Sequence, residues 1–234
     1  MTEPSVVAVV PAAGVGSRMR ADKPKQYLTL AGKTILEHTL ENLHSHPAID
    51  HIVVAINKDD GWFPTLPVAN APWLTVVDGG KERADSVLAG LSVLNPGDWA
   101  LVHDAARPCL HHTDLDQLLA VRSRDDVTGG ILATPVRDTM KRAKGNRPCI
   151  AHTESREHLW HALTPQLFPA VLLKQALISG LNNGLTITDE ASAMEAQGYT
   201  VALIDSHPGN IKITQPMDLS LAEFYLRQLT FPTS

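Results

Sequence analysis

The chain has 234 residues, a formal net charge of −5, 44% hydrophobic residues and only 5% aromatic ones. That length suits one large α/β domain whose core is filled by Val, Ile, Leu and Ala, and the apolar share excludes a disordered chain. An acidic sum argues against a general nucleic-acid binder, and no stretch approaches the roughly 20 apolar residues of a membrane span.

Charge is unevenly spread: between Pro11 and Lys33 stand Arg18, Arg20, Lys23, Lys25 and Lys33 against Asp22 alone, five cations to one anion. One concentrated basic loop suits a small anionic ligand better than a long polyanion. The two cysteines, Cys109 and Cys149, have no close spacing, so a soluble protein of the reducing cytoplasm is expected. The apolar run at 6–10 is too short for a signal-peptide core.

In chain order, residues 6–10, 51–56, 74–77, 99–102 and 130–134 read as strands, continuously apolar as buried parallel strands are. Thr34 and Glu37 form a capping box, followed by the stripe Ile35, Leu36, Thr39, Leu40 and Leu43. Helices are expected at 83–94, at 113–124 with Thr113 as N-cap, and later at 169–181, 189–197 and 216–229, with Thr188 and Thr214 as candidate caps. Polar residues 136–158, with Gly145-Asn146 between two extended runs, predict a projecting hairpin. This alternation predicts a three-layer, Rossmann-like sandwich around a mostly parallel sheet. Ligands of such sheets bind at the carboxyl ends of strands, which directs attention to the loops after Val10, Val77 and Val102.

Those loops hold the unusual residues. Pro11-Ala-Ala-Gly14-Val-Gly16-Ser-Arg18-Met19-Arg20 lets backbone approach a ligand and offers N–H groups to phosphate oxygens. Met19 breaks the dinucleotide fingerprint, and Tyr27 stands where a P-loop ending in Gly32-Lys33-Thr34 needs glycine. Asp104, in His103-Asp104-Ala-Ala-Arg107-Pro108, can hold a ribose hydroxyl or Mg²⁺, or merely close a turn; His103 is either a base or a structural ring. Asp78-Gly79-Gly80-Lys-Glu-Arg83-Ala-Asp-Ser86 leaves room for a planar base, with Ser86 at its edge, or simply enters a helix. Asn210-Ile-Lys212-Ile-Thr214 reads as a late strand bearing one lysine, which is a phosphate contact if it faces the pocket. His111-His112 lacks a third ligand at metal spacing.

Together with Pro24-Lys25-Gln-Tyr-Leu, Asp138-Thr-Met-Lys141, Leu159-Trp160, Thr164-Pro-Gln166 and Thr188-Asp-Glu-Ala-Ser192, these segments resemble 2-C-methyl-D-erythritol 4-phosphate cytidylyltransferases from about Val6 to Tyr225. Ala162 and the His207-Pro208 pair depart from the pattern outside its motifs. The resemblance implies a single nucleotidyltransferase domain over 1–234, with 136–158 as a dimerisation arm. It further implies transfer of a cytidylyl group from CTP to methylerythritol phosphate with release of pyrophosphate, in non-mevalonate isoprenoid synthesis. Arg18, Lys25, Arg156 and Lys212 would be catalytic, the first two at the α-phosphate and leaving pyrophosphate, the others at the acceptor phosphate. Ala12, Ala13, Gly14, Gly16, Gly80, Ser86 and Asp104 would bind CTP, with Asp104 also at Mg²⁺; Arg107, Thr139, Arg156 and Thr164 would contact the acceptor. In the family the hairpin enters a neighbouring subunit's site, so a homodimer with shared sites is implied, Arg156 and Thr139 acting across the interface.

The chemistry accounts for so many cations. A phosphate dianion must attack a triphosphate, and each pair of unit charges at ~4 Å costs about 4 kcal/mol at an effective dielectric near 20. A cytidylyltransferase for another polyol phosphate such as ribitol phosphate, or a non-catalytic CTP-binding regulator, remains as an alternative reading. A nicotinamide dehydrogenase is disfavoured by Met19 and by Asn57-Lys58 after the second strand, and a serine hydrolase by the lack of Gly-x-Ser-x-Gly.

Overall fold

The structure is a computed structural model and describes residues 4–14 and 23–230. In chain order its strands are β1 (Val6–Pro11), β2 (Thr29–Leu30), β3 (Lys33–Thr34), β4 (His51–Ile56), β5 (Leu74–Asp78), β6 (Trp99–Val102), β7 (Gly129–Pro135), β8 (Met140–Lys144), β9 (Arg147–Glu154), β10 (Trp160–Pro169) and β11 (Val201–Asp205). The helices are α1 (Ile35–His44), α2 (Arg83–Leu91), α3 (His112–Leu119), α4 (Ala170–Asn182), α5 (Glu190–Ala196) and α6 (Pro216–Thr230).

Seven strands form the central sheet in the order β11-β7-β10-β6-β1-β4-β5. Every neighbouring pair is parallel except those of β10, which runs antiparallel to both β6 and β7. The chain moves outward from β1 through β4 to β5, then returns to β6 on the other side. That reversal leaves a crevice at the carboxyl ends of β1 and β6, the switch point where ligands of such sheets sit.

The strands are apolar on both faces because both are covered. Ala8, Val10, Ile52 and Leu101 pack with Leu36 and Leu40 of α1 and Leu115 and Leu118 of α3. The alternate residues Val9, Ala100 and Val102 pack with Val87 and Leu91 of α2, Leu173 and Leu177 of α4, and Ala193 of α5. A third cluster joins Ile35, Ala106, Ile213 and Ala222 beneath α6. The edge strand β5 is only half-buried, with Val76 exposed, so its apolar run does not mark a central position.

Helix α1 carries the expected capping box: Glu37 N–H donates to Thr34 Oγ1 at 3.2 Å, and Thr34 N–H donates to Glu37 Oε2 at 2.8 Å. Other starts differ from the sequence expectation. His111, not Thr113, precedes α3, because tertiary contacts fix that turn: Asp114 accepts from Ser206 Oγ and His207 N–H at 2.9 and 2.7 Å. Asp189 rather than Thr188 caps α5, accepting from Ser192 N–H at 2.9 Å. Before α6, the Asp218 carboxylate accepts from Thr214 and Gln215 N–H, so the helix is tied down by its own first turn rather than by a Thr214 cap.

Besides the two-residue pair β2 and β3, two strands of the central sheet escape the sequence reading. Strand β10 contains Pro165 midway, which argues against a central strand; the chain accommodates it where the pairing to β7 shifts register, between Ala162 and Gln166. Strand β11 is a short run at the sheet edge with Leu203 exposed. Asn210–Thr214, by contrast, is no strand: Ile213 N–H donates to Ala106 O at 2.9 Å, and the segment crosses the sheet end as an extended loop. The hairpin at 136–158 is present as β8 and β9, a separate two-stranded sheet whose residues are mostly exposed. Its two-residue turn has positive φ at Gly145 (59°) and not at Asn146, the pattern of a type II′ turn.

If β10 is a central element of the core, Phe168→Ala removes a fully buried ring and lowers unfolding free energy by about 3–5 kcal/mol in urea titration. A loss below about 1 kcal/mol would mean that β10 is peripheral.

Candidate active site

Three loops meet at the switch point because backbone bonds extend the parallel pairing past the strand ends. Ala12 N–H donates to Ala55 O at 2.7 Å, Gly79 N–H to Ile56 O at 2.6 Å, and His103 N–H to Val9 O at 3.0 Å. Two glycines permit this approach. A Cβ on Gly79 would lie 2.6 Å from the Ala13 Cβ, and one on Gly80 2.1 Å from the Asp85 Cβ. Gly80 N–H also donates to Ser86 Oγ at 3.1 Å, so the buried Ser86 braces the loop. Gln26, 3% exposed, donates to Ala12 O at 2.7 Å and Gly14 O at 3.0 Å and holds the first loop from the far side.

Between these loops lies a cavity of about 290 Å³. Of the sequence-predicted residues it is lined by Ala12, Ala13, Gly14, Lys25, Gly80, Ser86, Asp104 and Lys212. A second cavity of about 260 Å³ adjoins it and is lined by Arg107, Thr164 and Thr188. Arg83, Asp104 and Lys212 border both. Gly16 and Arg18 lie outside the described residues. Thr139 and Arg156 are exposed on the hairpin and line neither cavity; Arg156 donates to Arg137 O.

Asp104 is the hub. Its Oδ1 accepts from Arg83 Nε at 3.1 Å, its Oδ2 from Lys212 Nζ at 2.8 Å, and Arg107 Nε stands 3.5 Å from Oδ2. Burial alone would raise this carboxyl, but Arg83 and then Lys212 hold it well below the usual carboxylate range. Asp104 is therefore an anion throughout the physiological range. Lys25 Nζ donates to Ile213 O at 3.1 Å and so ties the first loop to the segment that carries Lys212. Arg107 donates to Asn210 O at 2.6 Å, and Asn210 donates to Thr164 O at 2.9 Å, closing the far wall.

His103 is a structural ring, not a base. It is fully buried; its Nε2 faces Arg107 O at 2.9 Å and its Nδ1 faces Thr164 Oγ1 at 3.1 Å. With Nε2–H donating to the carbonyl, Thr164 O–H donates to Nδ1 and accepts from Asp104 N–H at 3.0 Å. Burial pushes the ring down to about 4, so it is neutral at pH 7.

The sequence reading missed Gln26 and Glu190 and gave Arg83 no role. Glu190 is wholly buried and accepts from both terminal nitrogens of Arg83, at 2.7 and 3.0 Å. All three stand inside quoted motifs, so the signal was present, but only contacts reveal what each residue does. Among the described residues no cluster of three His, Cys, Asp or Glu could hold a metal ion. A Mg²⁺ here would have to use one carboxylate, that of Asp104, together with substrate phosphates and water.

Comparisons with known proteins point one way. The profile of the family described as 2-C-methyl-D-erythritol 4-phosphate cytidylyltransferase matches residues 6–228. A protein of that name from Alteromonas mediterranea is 64% identical over 228 residues, covering 97% of this chain and 95% of the relative. One from Escherichia coli is 58% identical over 225 residues, 96% of this chain and 95% of the relative. A crystal structure of the Francisella tularensis protein of that name superposes with a TM-score of 0.82 at 36% identity, covering 94% of this chain and 99% of the other.

The neutral, buried His103 has a stability signature. The unfolded ring protonates near 6.5 and the folded one near 4, so between these values the folded state binds fewer protons. Acidification from pH 6.5 to 4 is expected to cost stability, up to about 1.4 kcal/mol per pH unit from this group. A His103→Gln variant should lose less stability between pH 7 and 5 than the wild type in urea unfolding. An unchanged pH slope would rule out the buried ring as its source.

Proposed function

The chain belongs to the 2-C-methyl-D-erythritol 4-phosphate cytidylyltransferase family, and on that premise we propose how its residues carry the reaction. The protein is a nucleotidyltransferase that moves a cytidylyl group from CTP to 2-C-methyl-D-erythritol 4-phosphate, releasing pyrophosphate, in non-mevalonate isoprenoid precursor synthesis. The larger cavity receives CTP: the small residues Ala12, Ala13 and Gly80 with Ser86 surround the base, and Gly14 approaches the phosphates, a role that the family resemblance extends to Gly16. The adjoining cavity receives the acceptor, with Arg107, Thr164 and Lys212 around its phosphate. The observation that carries this reading is the shared wall of Arg83, Asp104 and Lys212 between two cavities.

The acceptor phosphate is already ionised and needs no base, which agrees with a neutral His103 used only to orient Thr164. What the reaction needs is alignment and charge. Lys25 meets the α-phosphate and the departing pyrophosphate, a role that the family resemblance extends to Arg18, while Lys212, steadied by Asp104, holds the incoming phosphate. Mg²⁺ is the proposed cofactor; Asp104 would help to hold it, and it would supply further charge neutralisation. Thr139 and Arg156 complete the acceptor site from a neighbouring copy: the exposed, detached hairpin and the open second cavity support a homodimer with shared sites. Cys109 and Cys149 are both free thiols, and among the described residues no helix is long and apolar enough to cross a membrane; both fit the proposed cytoplasmic location.

Pyrophosphate release assayed with each of four nucleoside triphosphates should be fastest with CTP, and methylerythritol phosphate should outperform ribitol phosphate as acceptor. CTP binding without pyrophosphate release would leave only a binding role. Arg18→Ala should raise the barrier by about 3 kcal/mol if it acts as one transition-state donor, and near-normal turnover would reject that role. Inactive Lys25→Ala and Arg156→Ala subunits, mixed and re-equilibrated, should recover activity above either parent. Mixed dimers with no recovery would count against the shared site.

A further inference from the structure

One buried charge near the site is left without a job by this scheme. Glu190 opens α5, and its backbone is fixed on both sides: Asp189 caps the helix, and Gln166 donates to Asp189 Oδ2 at 3.0 Å while accepting from Ala191 N–H at 2.9 Å. Glu190 lines neither cavity, is fully buried and reaches the site only through Arg83. Burial raises its carboxyl and outweighs the opposing pull of Arg83. An isolated buried carboxylate would be costly, so its bidentate pairing is what keeps it there.

Arg83 is an awkward neighbour for a phosphate reaction. Its guanidinium borders both cavities, and its fork of donors matches phosphate oxygens as well as it matches a carboxylate. A fork free to grip the triphosphate would tighten binding of the ground state without lowering the barrier. In the structure the fork is already occupied. Nη1 and Nη2 donate to Glu190 at 2.7 and 3.0 Å, leaving Nε to donate to Asp104 at 3.1 Å.

We infer that Glu190 is a positioning residue for cytidylyl transfer: it occupies the fork of Arg83, keeps it off the substrate phosphates and turns its Nε to Asp104. Arg83 is then a strut rather than a phosphate ligand. Asp104 keeps a fixed direction between the two reactants, and Lys212 remains the cation that meets phosphate from this wall. The inference rests on Asp104 acting in the proposed reaction.

Steady-state kinetics on the full-length enzyme, with CTP and methylerythritol phosphate, separates this from a merely structural role. In Glu190→Gln, kcat per folded enzyme should fall about 10- to 100-fold, the usual cost of losing an outer supporting contact. The KM for CTP should fall with it, because the freed fork now grips the triphosphate. In Arg83→Gln/Glu190→Gln, where a neutral pair replaces the ion pair, kcat should stay low and the KM for CTP should return to the wild-type value or above. Unchanged kinetics in Glu190→Gln overturn the inference. So does a lower kcat with unchanged KM, which is what partial unfolding produces, and so does a low KM that persists in the double variant. If Glu190→Gln does not fold, the double variant decides alone, and wild-type kcat there overturns it. Asp104→Asn tests the underlying reading separately: wild-type turnover in that variant would dismiss the role of Asp104 itself, whatever the Glu190 variants do.

Discussion

A single carboxylate surrounded by cations organises this molecule. Asp104 sits at the end of β6, buried, with Arg83 and Lys212 arriving from two other parts of the chain and Arg107 from three residues further along its own loop. Without those partners its burial would favour the protonated form; with them it is anionic, and they in turn are drawn to one point. The cluster thus gathers positive charge where two polyanions must meet while keeping the cations from repelling one another before substrate arrives. Desolvation works against Asp104, Arg83 and Arg107, and hydrogen bonds of Asp104 with Arg83 and of Arg107 with Asn210 O offset it.

The sheet topology makes that convergence possible. Reversal of strand order between β1 and β6 opens a crevice whose two sides are loops from different halves of the winding. On one side, Gly79 lets the loop after β5 approach the loop after β1; Gln26 holds the latter and Ser86 braces the former. The antiparallel strand β10 then contributes Thr164, which links His103 to the backbone of Asp104. Buried His103 is the quiet member of this set: kept neutral, it spends both ring nitrogens on alignment.

Much of this was legible in the amino-acid order. The apolar runs marked β1, β4, β5 and β6, and the Gly- and Ala-rich stretches after them are where the cavities lie, because close backbone approach leaves a compositional trace. Capping at Thr34 was readable for the same local reason. What was not legible is long-range. Arg83 and Glu190 are 107 positions apart and have no shared periodicity, so their pairing appears only in the fold. Pro165 disguised β10, and the alternation of Ile211, Lys212 and Ile213 imitated a strand: Ile213 is buried under α6, yet the segment lacks a ladder partner. The helix starts at Asp189 and His111 were shifted by side-chain contacts to distant elements, which local capping rules do not contain.

The central claim is that cations from separate loops converge on Asp104 and hold it ionised. Carbon-13 NMR of the labelled Asp104 carboxyl carbon, titrated from pH 7 to 4 in the substrate-free enzyme, tests it directly. The account expects a flat chemical shift across that range. A protonation step within it would mean that the cations do not meet at this carboxylate, and the proposed site would lose its foundation.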